Sequence, residues 1–246
     1  MTARINPAWE QNYEARRCAG LRGRAKSLGI DVSEYVERSE RKLRAWVEGV
    51  AIRIRVKEPG LTQFLRDEKY KVMEETGVSG GDLQTRERRR KVEQEILDIP
   101  VDASGSERPV SGYLEGSDET GPITNWGLVV LELDPDVRSR TWFLLGDLVD
   151  TPTRGGGAVL IPQPISHPSM RAAGGKTDIA SAKGLPDACG EHRYAEALIY
   201  GGITPNDLKR VVYTQGQRPS EEVRAFARTA QWELSTTDDA APTNDR

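Results

Sequence analysis

The chain changes character across residues 98–107, a stretch of Pro, Asp, Ser and Gly, and this change constrains the fold most. Upstream lie helical patterns dense in Arg, Lys and Glu. Downstream lie short apolar runs separated by Gly and Pro, with no long helical period between them. A doubly wound sheet needs strands alternating with long helices. No GxGxxG follows a strand and no GxxxxGK[ST] occurs, so a Rossmann loop and a P-loop are both excluded. The expected class is α+β: a charged helical region over residues 1–98, a strand-rich domain over 99–234 and a disordered tail over 235–246.

Upstream, residues 7–28 read as a helix opened by Pro7 and ended by Gly29. A second helix is predicted over 33–48, with Ser33 as its cap. Ile52, Ile54 and Val56 alternate with Arg53 and Arg55, which predicts a half-buried strand broken by Pro59-Gly60. Helical patterns follow over 61–75 and, strongly charged, over 83–97. Downstream, residues 127–133, 141–145 and 194–200 read as strands. Residues 208–214 end in another, and 220–233 as a last helix. Asp134-Pro135-Asp136 is a turn, and Thr204-Pro205 opens a short helical turn. Residues 151–190 are loop-rich, with Gly155-Gly156-Gly157 and several prolines.

Composition narrows the function classes. The 246 residues are 37% hydrophobic and 30% charged, enough for one core with exposed helix beside it. A net charge of -3 argues against a general nucleic-acid binder. Cys18 and Cys189 form no CxxC, and His167 and His192 are not spaced as ligands, so no metal site is expected. The cysteine usage fits a reducing compartment. No apolar run approaches the ~20 residues of a membrane helix, and the N-terminus lacks a signal-peptide core.

Two residues stand out chemically. Glu196 sits in an apolar strand, where alternation places Tyr194, Glu196 and Leu198 on one face and Ala195, Ala197 and Ile199 on the other. A carboxylate there must face a cleft or a partner, because burying it alone is costly. Arg108 precedes Pro109, so its backbone is extended, and its guanidinium is a planar donor set suited to diphosphate or carboxamide groups. Ser139 and Thr141 share a face on the same alternation argument, and Tyr113 and Trp126 are aromatics able to stack on a base or nicotinamide.

The order of these motifs carries a resemblance. Arg108-Pro109-x-x-Gly112-Tyr113-Leu114, Trp126-Gly127 before a strand, Val137-Arg138-x-Arg140-Thr141-x-Phe143-x-x-Gly146-Asp147 and Tyr194-x-Glu196-Ala197-x-Ile199-x-Gly201-Gly202-Ile203 resemble ADP-ribosyltransferase-type domains. The resemblance spans residues 50–215 and is nearest to domains of bacteriophage minor head proteins and related bacterial proteins. It implies a split mixed sheet whose cleft holds NAD. It implies that Arg108 orients the dinucleotide, that Ser139 or Thr141 steadies the nicotinamide ribose, and that Glu196 positions the ribose hydroxyl and the attacking group. Tyr113 is expected beside the cofactor. The implied activity is mono-ADP-ribosyl transfer from NAD to a protein acceptor, in a host cytoplasm or a virion. Portal or capsid proteins are further expected partners, with no membrane and no nucleic acid. The alternative is a head-assembly or virion structural protein built on a degenerate transferase fold.

Overall fold

Alternating apolar and polar residues set up most of the architecture. The structure is a computed structural model that describes residues 22, 25–26, 28–72, 75, 84–97, 99–114, 126–145, 158–161, 170–171, 182–184, 187 and 195–237. In chain order these form α1 (Val32–Val47), β1 (Ile52–Val56), α2 (Glu58–Asp67), α3 (Gln84–Leu97), β2 (Val110–Leu114), β3 (Val129–Leu133), β4 (Thr141–Leu145), β5 (Ala158–Ile161), β6 (Met170–Arg171), β7 (Ala195–Ile199), β8 (Leu208–Tyr213), α4 (Glu221–Ala230) and β9 (Glu233–Thr236). The strands join in one sheet in the order β6-β5-β4-β7-β2-β1-β3-β8-β9. The pairs are antiparallel except β8 with β9, which makes the sheet mixed and the class α+β.

The strand read from the Arg/Ile alternation lies at the centre of this sheet. β1 is hydrogen-bonded between β2 and β3, so residues on both sides of the 98/99 boundary build the same sheet. Its link to β2 is confined to the registered pairs Ile52↔Leu114 and Arg53↔Tyr113. Gly112 permits close approach there, since a Cβ would sit 2.7 Å from the Arg53 carbonyl oxygen. Gly127 is still more constrained: its φ is +144° and a Cβ would fall 2.0 Å from the Val56 carbonyl oxygen.

One face of the sheet carries the main core. Ile52, Ile54, Val110, Leu131, Phe143, Ala197, Ile199 and Val211 pack there against Tyr35 and Leu43 of α1, Leu61 and Phe64 of α2, and Val223 of α4. Burying each large side chain contributes about 1.5–3 kcal/mol. The helices start where local chemistry allows. Asp31, not Ser33, caps α1, its carboxylate accepting from the Ser33 and Glu34 amides at 2.9 and 3.0 Å. Pro59 falls in the first turn of α2, where its missing N–H costs nothing. The last helix ends at Ala230, and part of the expected tail is strand β9. Among the described residues no helix is long and apolar enough to cross a membrane.

The expected first helix lies mostly outside the described residues. So do the Gly155-Gly156-Gly157 run, Asp147, His167, His192, Tyr194 and residues 238–246.

Candidate functional site

Alternation turns the other side chains of the same strands to the second face: Arg53 and Arg55 from β1, Ser111 and Tyr113 from β2, Glu132 from β3, Glu196 and Leu198 from β7 and Arg210 from β8. Strand register then sets them side by side. Glu196 faces Tyr113, Tyr113 faces Arg53, Arg53 faces Glu132 and Glu132 faces Arg210. This single cross-strand row covers about 19 Å of sheet at the ~4.8 Å strand spacing.

At one end Glu196 is 4% exposed. Its Oε1 accepts from the Ser111 hydroxyl at 2.8 Å and from the Arg89 guanidinium at 3.4 Å. Arg89 reaches in from α3 and also donates to Ser111 Oγ. Its Nε donates to Glu93 Oε1 at 2.8 Å. Glu93 is 1% exposed, and its other oxygen accepts from Arg108 at 2.5 Å. The result is a buried chain of alternating charge, Arg108–Glu93–Arg89–Glu196, that meets the sheet at Ser111. Arg108, Glu93 and Glu196 are desolvated, and are tolerated because counter-ions and hydrogen bonds replace water.

Arg108 therefore does not take the place expected for a dinucleotide-orienting arginine. It is 1% exposed. Besides Glu93, it donates to the carbonyls of Ala103 (3.2 Å), Pro100 (3.1 Å) and Val101 (2.8 Å). Its guanidinium clamps residues 100–103 to α3. Ser139 is also displaced. Asp134 caps a 3-10 turn over Pro135–Arg140, accepting from the Asp136 amide at 2.9 Å, and the exposed Ser139 hydroxyl donates to the Asp136 carbonyl. The turn runs on to Arg140, so the strand begins two residues too late to include Ser139. Thr141 is on the core face with Phe143 and donates to the Val137 carbonyl at 2.8 Å. Neither hydroxyl lies on the face of Glu196. Tyr113 does: it is directly across from Glu196 and 2% exposed.

The residues that sequence reasoning missed are Ser111 and Arg89. Alternation pairs Ser111 with Tyr113, but only the β2/β7 register, joining residues 85 apart, brings Ser111 to Glu196. Arg89 is one of several arginines in a charged helix, and nothing local distinguishes it.

The other end of the row is basic. Glu132 Oε2 accepts from Arg53 at 2.9 Å and Arg210 at 2.5 Å, and Lys209 stands 3.5 Å from Oε1. Burial raises the Glu132 carboxyl, but Arg210 and Arg53 outweigh it and hold it below the usual carboxylate range. Arg53, Arg210 and Lys209 keep 21%, 29% and 55% of their side-chain surface exposed. Arg55 donates to the Gly127 carbonyl at 3.4 Å, and its buried Nε has no partner among the described residues. Among the described residues no cluster of His, Cys, Asp or Glu is suited to a metal ion.

No family model matches the chain, and no curated protein matches it. Among solved structures it is similar to Thermus sp. 2.9 DarT in complex with ADP-ribosylated ssDNA, at 15% identity and a TM-score of 0.45, covering 77% of this chain and 94% of that one. It is likewise similar to Thermus sp. 2.9 DarT in complex with NAD+, at 13% identity and a TM-score of 0.46, covering 78% and 97%. The expected partners stand against the first of these: the ADP-ribosylated molecule in that complex is single-stranded DNA, whereas the expectation was a protein acceptor, portal or capsid contacts and no nucleic acid.

Proposed function

We infer that the second face of the sheet is an NAD-dependent ADP-ribosyl transfer site. The observation that carries this reading is Glu196: a nearly buried carboxylate on a central strand, held by a strand hydroxyl and in register with a tyrosine and an arginine. Rupture of the nicotinamide–ribose bond leaves the bonding pair on nicotinamide and positive charge on the sugar, as in glycoside cleavage. Glu196 is placed to offset that charge and to accept the hydrogen bond of an incoming nucleophile, whose proton passes to the carboxylate or to solvent. Ser111 fixes the carboxylate. Tyr113 walls the site. Such fixed charges and dipoles supply rate through preorganisation.

With Arg108 committed to the fold, the arginine in line with Glu196 is Arg53, about 10 Å away across two strand spacings. Arg53, Lys209 and Arg210 suit phosphate groups, the chemistry shared by a dinucleotide and a nucleic-acid acceptor. We take single-stranded nucleic acid as the acceptor class on the strength of this basic row. A second reading, a scaffold with a silent site, is favoured by one observation: Glu196 is ion-paired to Arg89.

The test is incubation of the full chain with NAD labelled in the adenylate, with and without single-stranded DNA, following nicotinamide release and label transfer. Release that Glu196→Gln abolishes, with label on the DNA, supports the reading. Release without label on DNA removes the nucleic-acid acceptor. Absence of release together with an unchanged Tm in NAD leaves the scaffold reading.

A further inference from the structure

We propose that α3 is a built-in brake on this site, with Arg89 as its contact and Glu93 as its anchor. The proposal rests on the NAD reading above, because a brake requires an activity to restrain.

The charge pattern is the first argument. Glu196 can favour a cationic sugar only while its negative charge is available. In the structure Arg89 sits 3.4 Å from Glu196 Oε1 and also donates to Ser111, the residue that fixes that oxygen. A guanidinium at that distance offsets the carboxylate and repels a second positive charge beside it. The arrangement thus stabilises the protein at rest and opposes the reaction.

The second argument is where Arg89 is held. Its Nε is anchored to Glu93, one turn further along the same helix, and Glu93 is anchored to Arg108. Arg89 therefore belongs mechanically to α3, and movement of α3 withdraws it from Glu196 and Ser111 together. The third argument is the hold of α3 on the fold. Its sequence, QTRERRRKVEQEIL, has three apolar residues, all in its second half. Leu97 and the adjoining Ile99 are fully buried, as is the Glu93–Arg108 pair. The buried anchors among the described residues thus lie in the C-terminal half, and the proposed release is a movement of the half bearing Arg89. A polyanion drawn to the arginines of that half would favour lifting it.

The experiment compares the wild-type chain, Arg89→Gln and Glu196→Gln for nicotinamide release and for the Tm shift given by NAD. Glutamine keeps length and hydrogen bonding while removing the charge. The expected result is release by Arg89→Gln about tenfold faster than wild type, with a larger NAD shift, and silence in Glu196→Gln. If wild type and Arg89→Gln both respond to NAD and the variant is equal or slower, Arg89 belongs to the working site and the brake is overturned. If none binds NAD, the NAD reading itself fails. Hydrogen exchange on the wild-type chain decides the matter should Arg89→Gln not fold. Faster exchange of the amides of residues 85–92 on NAD addition supports the brake, and unchanged or slower exchange overturns it.

Discussion

Two acidic residues, Glu132 on the sheet and Glu93 on α3, meet their arginines in opposite ways. Glu132 lies under Arg53, Arg210 and Lys209, all partly exposed, so its cations are within reach of solvent. Glu93 lies between Arg89 and Arg108, with both its oxygens engaged and almost no exposure. The same chemical pair makes a receptive surface in one place and a structural bolt in the other. Both carboxylates are buried, and what separates them is the cations: Arg108 is sealed from solvent, while Arg53, Arg210 and Lys209 reach it, and a desolvated pair resists loss of either partner more than a hydrated one.

The comparison breaks most sharply at Glu93. Glu93→Ala leaves two guanidiniums without their shared carboxylate, and we expect a loss of about 3–5 kcal/mol by chemical denaturation. A loss below 1 kcal/mol would mean that the buried chain is no bolt. Gly127→Ala comes next, at about 2 kcal/mol, because the added Cβ meets the Val56 carbonyl in a backbone conformation that alanine avoids. Glu132→Gln should cost about 1 kcal/mol at neutral pH, since its cations rehydrate. It also sharpens the pH dependence. The folded Glu132 carboxyl is lowered, so its contribution is present above the unfolded carboxyl's pKa of about 4.3 and is lost as pH falls through the folded value. A urea series down to pH 3 should therefore show a shallower acid loss for Glu132→Gln than for wild type. Smallest of all is Arg66→Ala. It removes an exposed pair with Glu222 at 2.7 Å, and its denaturation midpoint should match wild type within error.

Legibility followed the reach of each interaction. The Ile52/Ile54/Val56 alternation against Arg53/Arg55 revealed a strand and its faces, because side-chain direction along a strand is local. The same rule put Glu196 on the face away from Ala195 and Ala197, as the structure has it. It failed at Ser139 because the turn capped by Asp134 runs to Arg140, and alternation has no meaning inside a helical turn. It could not show Arg108 as a clamp, since α3 and residues 100–103 close over that arginine only in three dimensions. Ser111 escaped for a related reason: its neighbour Glu196 is chosen by register between distant strands.

The place of β7 between β2 and β4 has a consequence for synthesis. The ribosome delivers β2 and β4 long before residues 195–199. Until then both strands present unsatisfied edges, the condition that invites pairing with other chains. The strand carrying Glu196 is thus also the closing stave of the sheet. A chain interrupted before residue 195 should aggregate as well as lack its carboxylate, so that no half-made product can carry the site.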